Sequence, residues 1–502
     1  MTLELSVKEL APPNLQFGGA LSVSDPKVGL AQAGPFDLHF GSASRKQKIG
    51  VGIIGPQWMI DLTRAWLERC MNPIPVLEGE TQLRRMFPGF EETFHSAILT
   101  QDSWTIRLDE GGVGDKLGTA LAISDPFRRF EQVLNAYADA LDSLAARDSN
   151  RPDLVIMAMP DEVLKKSHAV ERSATAEEKK AANAIRKSRA KGQLDLFDLF
   201  EEVEQSEEDF LKRDLRHALK ARALRAKLPI QMVTRNLLED TPRGQDAATR
   251  AWNFSVGVYY KAGGVPWRLP QTGPETCFVG ISFHHLRTTK RHIVQSSLAQ
   301  AFSSEGEGFA IRGDGVPATP DQSRNVHLSE EQAYDLSKDI VAEYATRAGG
   351  PPVRVVMHKT TYFDAAELAG IRAALSDIPI VDLVTLVPSS LRLLRLGVYP
   401  PNVGTLCTIN SGTSFLFTSG FMPELGTYPG PHVPQPFEVR MQSGGSKIEA
   451  AQDVLNLTRM NWNTADIRGK WPVTLSFARR VGGILDEFGD AEPGETSFRY
   501  FV

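Results

Sequence analysis

Cysteine is scarce in this chain: three in 502 residues, at Cys70, Cys277 and Cys407. They lie far apart in no metal-ligand spacing, which fits a reducing cytoplasm and three buried or neutral thiols. Long apolar runs are missing too. No stretch of about 18 uncharged apolar residues exists, so no transmembrane helix is expected. The start "MTLELSVKEL" has no basic residues followed by an apolar block, so no signal peptide is expected. An excess of positive charge is also absent, with 56 Lys and Arg against 61 Asp and Glu, net −5. That excludes a global basic field for nucleic acid, and any such binding must come from a local basic groove. There is no internal repeat and no low-complexity tail.

What is present is the composition of a soluble globular protein, 42% hydrophobic and 23% charged. At this length two or three domains are expected. The stretch "KIGVGIIGPQW", Lys48 to Trp58, carries Gly50, Gly52 and Gly55 at the G-x-G-x-x-G spacing of a dinucleotide-binding turn. In that fingerprint the apolar strand precedes the first glycine. Here "SASRKQK" and a single Ile49 precede it, while Val51, Ile53 and Ile54 lie among the glycines. The run therefore reads as the strand itself, with glycine serving close packing. Glu78, near the end of the next apolar run, keeps the cofactor reading open.

The first forty-odd residues are loop-rich. From Ile49 onward strand and helix alternate. A helix is expected around Leu62–Arg69, a long amphipathic one over "PFRRFEQVLNAYADALDSLAAR", and an apolar strand in "PDLVIMAMPDEV". Fully apolar strands in this order argue for a parallel sheet covered on both faces. Lys165 to Gly192 turns charged and Ala-rich, an exposed insertion or solvated helix. A second α/β region opens near Thr276, with strands in "CFVGISFHHL", "RVVMHKTTYF" and "IVDLVTLVPSS", a helix in "AAELAGIRAALSDI" and a hairpin in "TLCTINSGTSFLFTSG".

The most informative segment is "FLKRDLRHALKARALRAKLPIQMV", a basic helix running into a strand. Arg216 and Lys220 are four residues apart and share a helix face. Gln231 follows the turn at Pro229. "WNFSVGVYYKAGGVPW" places Lys261 at a helix end, capped by Gly263 and Gly264. Two lysines, an arginine and an amide form a donor set suited to a terminal phosphate, through charge-assisted hydrogen bonds. The alternative is that Arg216 and Lys220 belong to a solvated face.

Together with "DPKVGLAQAGPFDLHFG", "QAFSSEGEGFAIRG" and "MNWNTADIRGKWPVTLSFARRVGGIL", these stretches make nearly the whole chain resemble the prokaryotic Argonautes, specifically the short class built only of MID and PIWI domains. The resemblance implies an α/β fold, a Rossmann-like MID domain followed by a ribonuclease H-like PIWI domain. The segments read as 1–150 for the N-terminal and linker portion with the start of MID, 151–270 for MID and 271–502 for PIWI. It implies a guide 5′-phosphate pocket of Arg216, Lys220, Gln231 and Lys261. In related proteins the C-terminal carboxylate reaches this pocket and shares a divalent ion with the guide phosphate. That makes Val502 a candidate, with Gln231, to hold a structural Mg²⁺, and the ending "FRYFV" reads as a docked tail. On this reading "GVGIIG" is a strand leading into MID and no dinucleotide is implied.

PIWI domains that cut need a carboxylate-rich tetrad holding two divalent ions. At its positions this chain offers Ser282 in "VGISFHH", Thr360 in "MHKTTYF", and only Ala478 or Arg479 after Pro472. Hydroxyls are weak ligands for hard cations. Glu305 or Glu307 supplies at most one carboxylate, and His284, His285 and His358 read as residues that stack or bond within the channel or satisfy local backbone groups. The expectation is an inactive PIWI and a cytoplasmic, non-membrane subunit of a prokaryotic defence system. It would bind a guide RNA and a single-stranded DNA target, with Lys and Arg neutralising phosphates and pairing reading sequence. Short Argonautes imply a partner with an APAZ domain carrying a TIR, sirtuin-like or nuclease effector, commonly one that hydrolyses NAD(P). The alternatives are an active guide-dependent nuclease with an unorthodox metal site, and a dinucleotide enzyme.

Overall fold

The computed structural model describes residues 4–501 apart from 42–44, 77–78, 80, 82, 110–114, 172–211, 242–243, 271–272, 288–292, 303–307, 318–326, 398–399, 410–412, 431–432 and 489–496, and apart from the side chains of 20, 171, 212, 284–287, 293–302, 312–317 and 478–480. Two sheets organise the chain. The first is wholly parallel, in the order Ile230–Thr234, Leu154–Met159, Lys48–Gly55, Ala97–Leu99, with Thr105–Arg107 beside the far end of Lys48–Gly55. All six residues of Leu154–Met159 are buried, as strands covered on both faces require. The order, with the first strand inside and later strands on both sides of it, is doubly wound. The glycines of "GVGIIG" lie within the strand. A Cβ on Gly50 would meet the Trp104 ring at 2.9 Å, so glycine here serves close packing. The turn that follows begins at Pro56, and the dinucleotide reading has no turn to rest on.

Local chemistry sets the helices. Asp125 caps Pro126–Ala145 through the Arg128 N–H, and Pro126 sits where a missing donor costs nothing. Asp214 caps Leu215–Ala226 and Asp246 caps Ala247–Lys261. The first two of these helices pack on one face of the first sheet. Ala247–Lys261 is different: thirteen of its fifteen residues are buried, so it cannot be a surface helix. It shares one core with Val384 and Phe437 of the second sheet and joins the two halves.

The second sheet has nine strands, in the order Leu5–Glu9, Thr405–Ile409, Thr413–Leu416, Phe437–Ser443, Ile380–Pro388, Arg354–Lys359, Thr276–Arg287, Ile293–Phe302, Gly308–Pro317. Thr276–Arg287, Arg354–Lys359 and Ile380–Pro388 are mutually parallel, and the rest pair antiparallel. Three antiparallel strands continued by two parallel ones make a ribonuclease H-like sheet. Glu330–Ala348 and Ala365–Ala374 cover one face. Val473–Leu485 lies on the other, so close that a Cβ on Gly280 would fall 1.9 Å from the Thr474 carbonyl oxygen.

One feature differs from the sequence reading. Leu5–Glu9, expected in a loop-rich lead-in, is the edge strand of the second sheet, paired with Thr405–Ile409. Lys48–Gly55, in the segment read as containing the start of MID, and Leu154–Met159, in the segment read as MID, are neighbours in one sheet. Parallel neighbours need a long crossover, here containing Pro126–Ala145, and a crossover does not show as a composition break. The charged stretch at 172–192 lies outside the described residues. The three cysteines are buried and free. No helix among the described residues is long and apolar enough to cross a membrane.

Candidate nucleic-acid interface

The basic helix starts where Asp214 accepts from the backbone N–H of Arg216 at 2.8 Å and of His217 at 3.2 Å. Arg216 is exposed in the first turn, and Lys220, one turn on, is half-buried. Lys220 Nζ donates to the carbonyl oxygen of Phe501 at 2.9 Å. The helix ends at Lys227 in a left-handed conformation (φ 48°), and the chain turns into the Ile230–Thr234 strand. Gln231, its second residue, donates through Nε2 to the Met232 carbonyl at 3.1 Å. Its Oε1 accepts from Lys261 Nζ at 2.5 Å.

Lys261 is the sharpest feature of the site. It is only 3% exposed, and burial pulls its ammonium down to about 7. No carboxylate among the described residues pairs with it. A buried cation without a counter-charge is costly, and an arriving anion removes that cost. A divalent cation at Gln231 Oε1 requires the Lys261 contact to be exchanged first. Val502 lies outside the described residues, so its carboxylate has no position here. The tail up to Phe501 is docked. Phe498 packs edge-on to Phe477 at 4.4 Å between ring centroids. Phe501 is buried among Ala221, Leu224 and Val481, between the basic helix and Val473–Leu485. The structure thus joins Lys261 to Gln231, and Lys220 to the tail, while Arg216 stands exposed. Asn463 was missed by sequence reasoning: a Cβ on Gly257 would lie 3.6 Å from its Oδ1 and 3.7 Å from Gln231 Oε1. Nothing in its local sequence marks it.

In the second sheet, parallel pairing of Ile281 with Lys359 puts Ser282 level with Thr360. His358 is fully buried, and its Nδ1 contacts Thr474 Oγ1 at 2.9 Å. Burial, then the nearby Arg354 charge, holds its imidazole down to about 3, so it is neutral. Side chains of Ala478, Arg479, His284 and His285 lie outside the described residues, as do Glu305 and Glu307 entirely. Arg479 has its backbone in the Val473–Leu485 helix.

Among the described residues, one group of His and carboxylate side chains is close enough to share a metal: His327, Asp364 and Glu367. It lies on the opposite face, because successive strand residues alternate and Lys359 points there. Glu367 is also occupied. It pairs with the Lys359 ammonium and accepts from Leu328 N at 2.9 Å and Asp364 N at 3.1 Å.

A Rossmann-like sheet with a cation set beside it, leading into a ribonuclease H-like sheet, defines a two-part α/β architecture. Solved structures carry the identification of that fold further. The chain is similar to Clostridium butyricum Argonaute bound to a guide DNA (5′ deoxycytidine) and a 19-mer target DNA, with TM-score 0.58 and 12% identity over 96% of this chain. It is also similar to Aa-Ago with externally bound siRNA, with TM-score 0.53 and 14% identity over 95% of this chain. The fold is Argonaute-like. The chain spans about half of those proteins, 53% of each. No family model and no curated protein matches it.

Proposed function

We propose that this chain is the guide-directed, nucleic-acid-binding subunit of a prokaryotic defence system. It holds a guide RNA by its 5′-phosphate and presents it to a single-stranded DNA target. The observation that carries the reading is Lys261: a buried ammonium, hydrogen-bonded to Gln231 and facing no carboxylate among the described residues. Lys220 lies on the adjoining helix and the C-terminal tail reaches it. The fold's likeness to an Argonaute solved with guide and target supports the same reading. Gln231 and the Val502 carboxylate are the groups that would hold a Mg²⁺ beside the guide phosphate, where the ion would neutralise charge.

The reading includes an inactive PIWI region. Ser282 and Thr360 supply hydroxyls where hard ions need carboxylates. The buried Glu367 is engaged by Lys359 on the other face. The output then falls to a partner, an APAZ-domain protein with a TIR, sirtuin-like or nuclease effector, which target binding switches on, commonly to consume NAD(P).

The test is direct. The purified chain is titrated with RNA and DNA oligonucleotides of one sequence bearing a 5′-phosphate or a 5′-hydroxyl. Tighter binding of the phosphorylated strands, by roughly ten- to a hundredfold, is expected from charge-assisted hydrogen bonds to the added phosphate. Equal affinity for the two ends overturns the pocket and with it the guide reading.

A further inference from the structure

A cavity near the end of the central helix is not used by that reading. It holds about 340 Å³ and is lined by Arg45, Lys46, Ile49, Tyr259, Gly263 and Arg499 among others, none of them acidic. Its cations come from two places in the chain, Arg45 and Lys46 before the first sheet and Arg499 in the C-terminal turn. Lys46 is partly neutralised by an ion pair with Asp153. Arg45 donates through Nη1 to the His95 carbonyl and to Ser96 Oγ at 3.3 Å, while its Nε is enclosed with no partner. Arg499 donates to the Tyr500 hydroxyl at 3.4 Å, and among the described residues its Nε is likewise enclosed and unpartnered. Neither guanidinium forms an ion pair with a carboxylate among the described residues, although the buried Asp37 carboxylate, which accepts from the Tyr259 hydroxyl, acts on Arg45 at longer range.

The floor is built to stay bare. Gly263 has φ +99°, a conformation side chains rarely adopt, and Arg499 Nη1 lies 3.4 Å from where its Cβ would be. A Cβ on Gly264 would fall 2.2 Å from the Tyr259 ring. Two arginine forks and a lysine over bare backbone suit phosphate oxygens, which guanidinium binds in bidentate fashion. The volume exceeds a lone phosphate and falls in the range of small-ligand sites.

We propose that this cavity is a second phosphate site, separate from Lys220, Gln231 and Lys261, which takes one sugar-phosphate unit of a nucleotide. Its occupant as an internal phosphate of the bound strand rests on the proposed function above, and a free nucleotide offers the same chemistry. The tail lies between the two sites. Arg499 faces this cavity, and the Phe501 carbonyl two residues on meets Lys220.

The experiment uses the whole chain, wild type, Arg499→Gln and Arg45→Gln, with melting temperature as the folding control. The probes are 5′-phosphate and 5′-hydroxyl oligonucleotides and free AMP. Both variants, on different elements, should weaken the two oligonucleotides by the same factor, roughly tenfold for a lost charge-assisted contact. A neutral methylphosphonate walked along the strand should find one linkage that costs the wild type this factor and costs Arg499→Gln nothing. Arg499-dependent binding of AMP with no oligonucleotide binding keeps the site, assigns it to free nucleotides and rejects the guide reading. Unchanged binding of all three probes by folded Arg499→Gln and Arg45→Gln overturns the proposal.

Discussion

Of the three lysines buried among the described residues, Lys27, Lys261 and Lys359, the last two have opposite surroundings. Lys359, at the end of an inner strand of the second sheet, is 1% exposed and pairs with Glu367, also 1% exposed. The rings of Phe283 and Phe363 lie 5.1 and 5.4 Å from its ammonium. Lys261, at the end of the central helix, is 3% exposed and has an uncharged amide as its partner. Burial lowers both ammonium groups, but only Lys359 has carboxylates, Glu367 and then Asp364, pulling it back up. A neutralised lysine is part of the architecture. A lysine left without a counter-charge destabilises the free protein and is kept where something arrives to neutralise it. On the proposed function, the contrast makes Lys359 a structural residue and Lys261 a binding one.

The largest effect expected from this contrast is on folding. Lys359→Met leaves the Glu367 carboxylate buried without its counter-charge and should cost about 3–5 kcal/mol in denaturant unfolding. Adding Glu367→Gln removes the orphan charge, keeps an acceptor for the Leu328 N–H, and should recover most of the loss. A single-variant loss under about 1 kcal/mol would show that the pair behaves like a surface ion pair, and the two lysines would no longer be distinguished.

The mirror-image substitution sharpens the contrast. Lys261→Met should stabilise the free protein, because it removes a desolvated ammonium. It should weaken a 5′-phosphorylated strand by about 1.5–3 kcal/mol, the scale of a hydrogen bond to a charged group, and leave a 5′-hydroxyl strand nearly unaffected. Calorimetric or anisotropy titration of both strands decides. Equal losses for the two strands would make Lys261 a packing residue.

The same contrast explains what could be read from the chain alone. The apolar run Leu154–Met159, the Asp214-capped basic helix and the glycines after Lys261 are local signals, and the elements they predict are present. The strand-within-glycines reading of Lys48–Gly55 was legible because Val51, Ile53 and Ile54 fall between the glycines. Other features depend on pairings hundreds of residues apart. Leu5–Glu9 finds its sheet only through Thr405–Ile409, and a short edge strand with exposed residues on both faces carries no burial pattern. Lys359 and Glu367 are eight residues apart across a strand-to-helix turn, and neither type signals burial. Arg45 and Arg499 meet only because the C-terminal turn docks against the start of the first sheet. At the candidate site the residue types were legible. Which lysine lacked a counter-charge was not, since that follows from tertiary surroundings.

The most gradual effect expected is in pH dependence, and it isolates Lys261. Its folded value, about 7, lies below its ordinary 10.5, so the fold favours the neutral amine. The stability associated with this group is therefore complete above 10.5 and is lost as pH falls towards 7. The advantage of Lys261→Met over wild type should grow across that window and stay constant below it. Binding runs the other way. A phosphate beside Lys261 raises its value, so binding takes up a proton above pH 7. Affinity should then fall as pH rises from 7 to 9, by at most about 1.4 kcal/mol per pH unit. Ionisation of the terminal phosphate near 6 strengthens binding over the lower part of the range, but it acts on every variant alike. The wild-type to Lys261→Met affinity ratio cancels it and should decline steadily above pH 7. A ratio that is flat from 6.5 to 9 would mean that the ammonium does not face the phosphate, and the two buried lysines would then differ in partner but not in role.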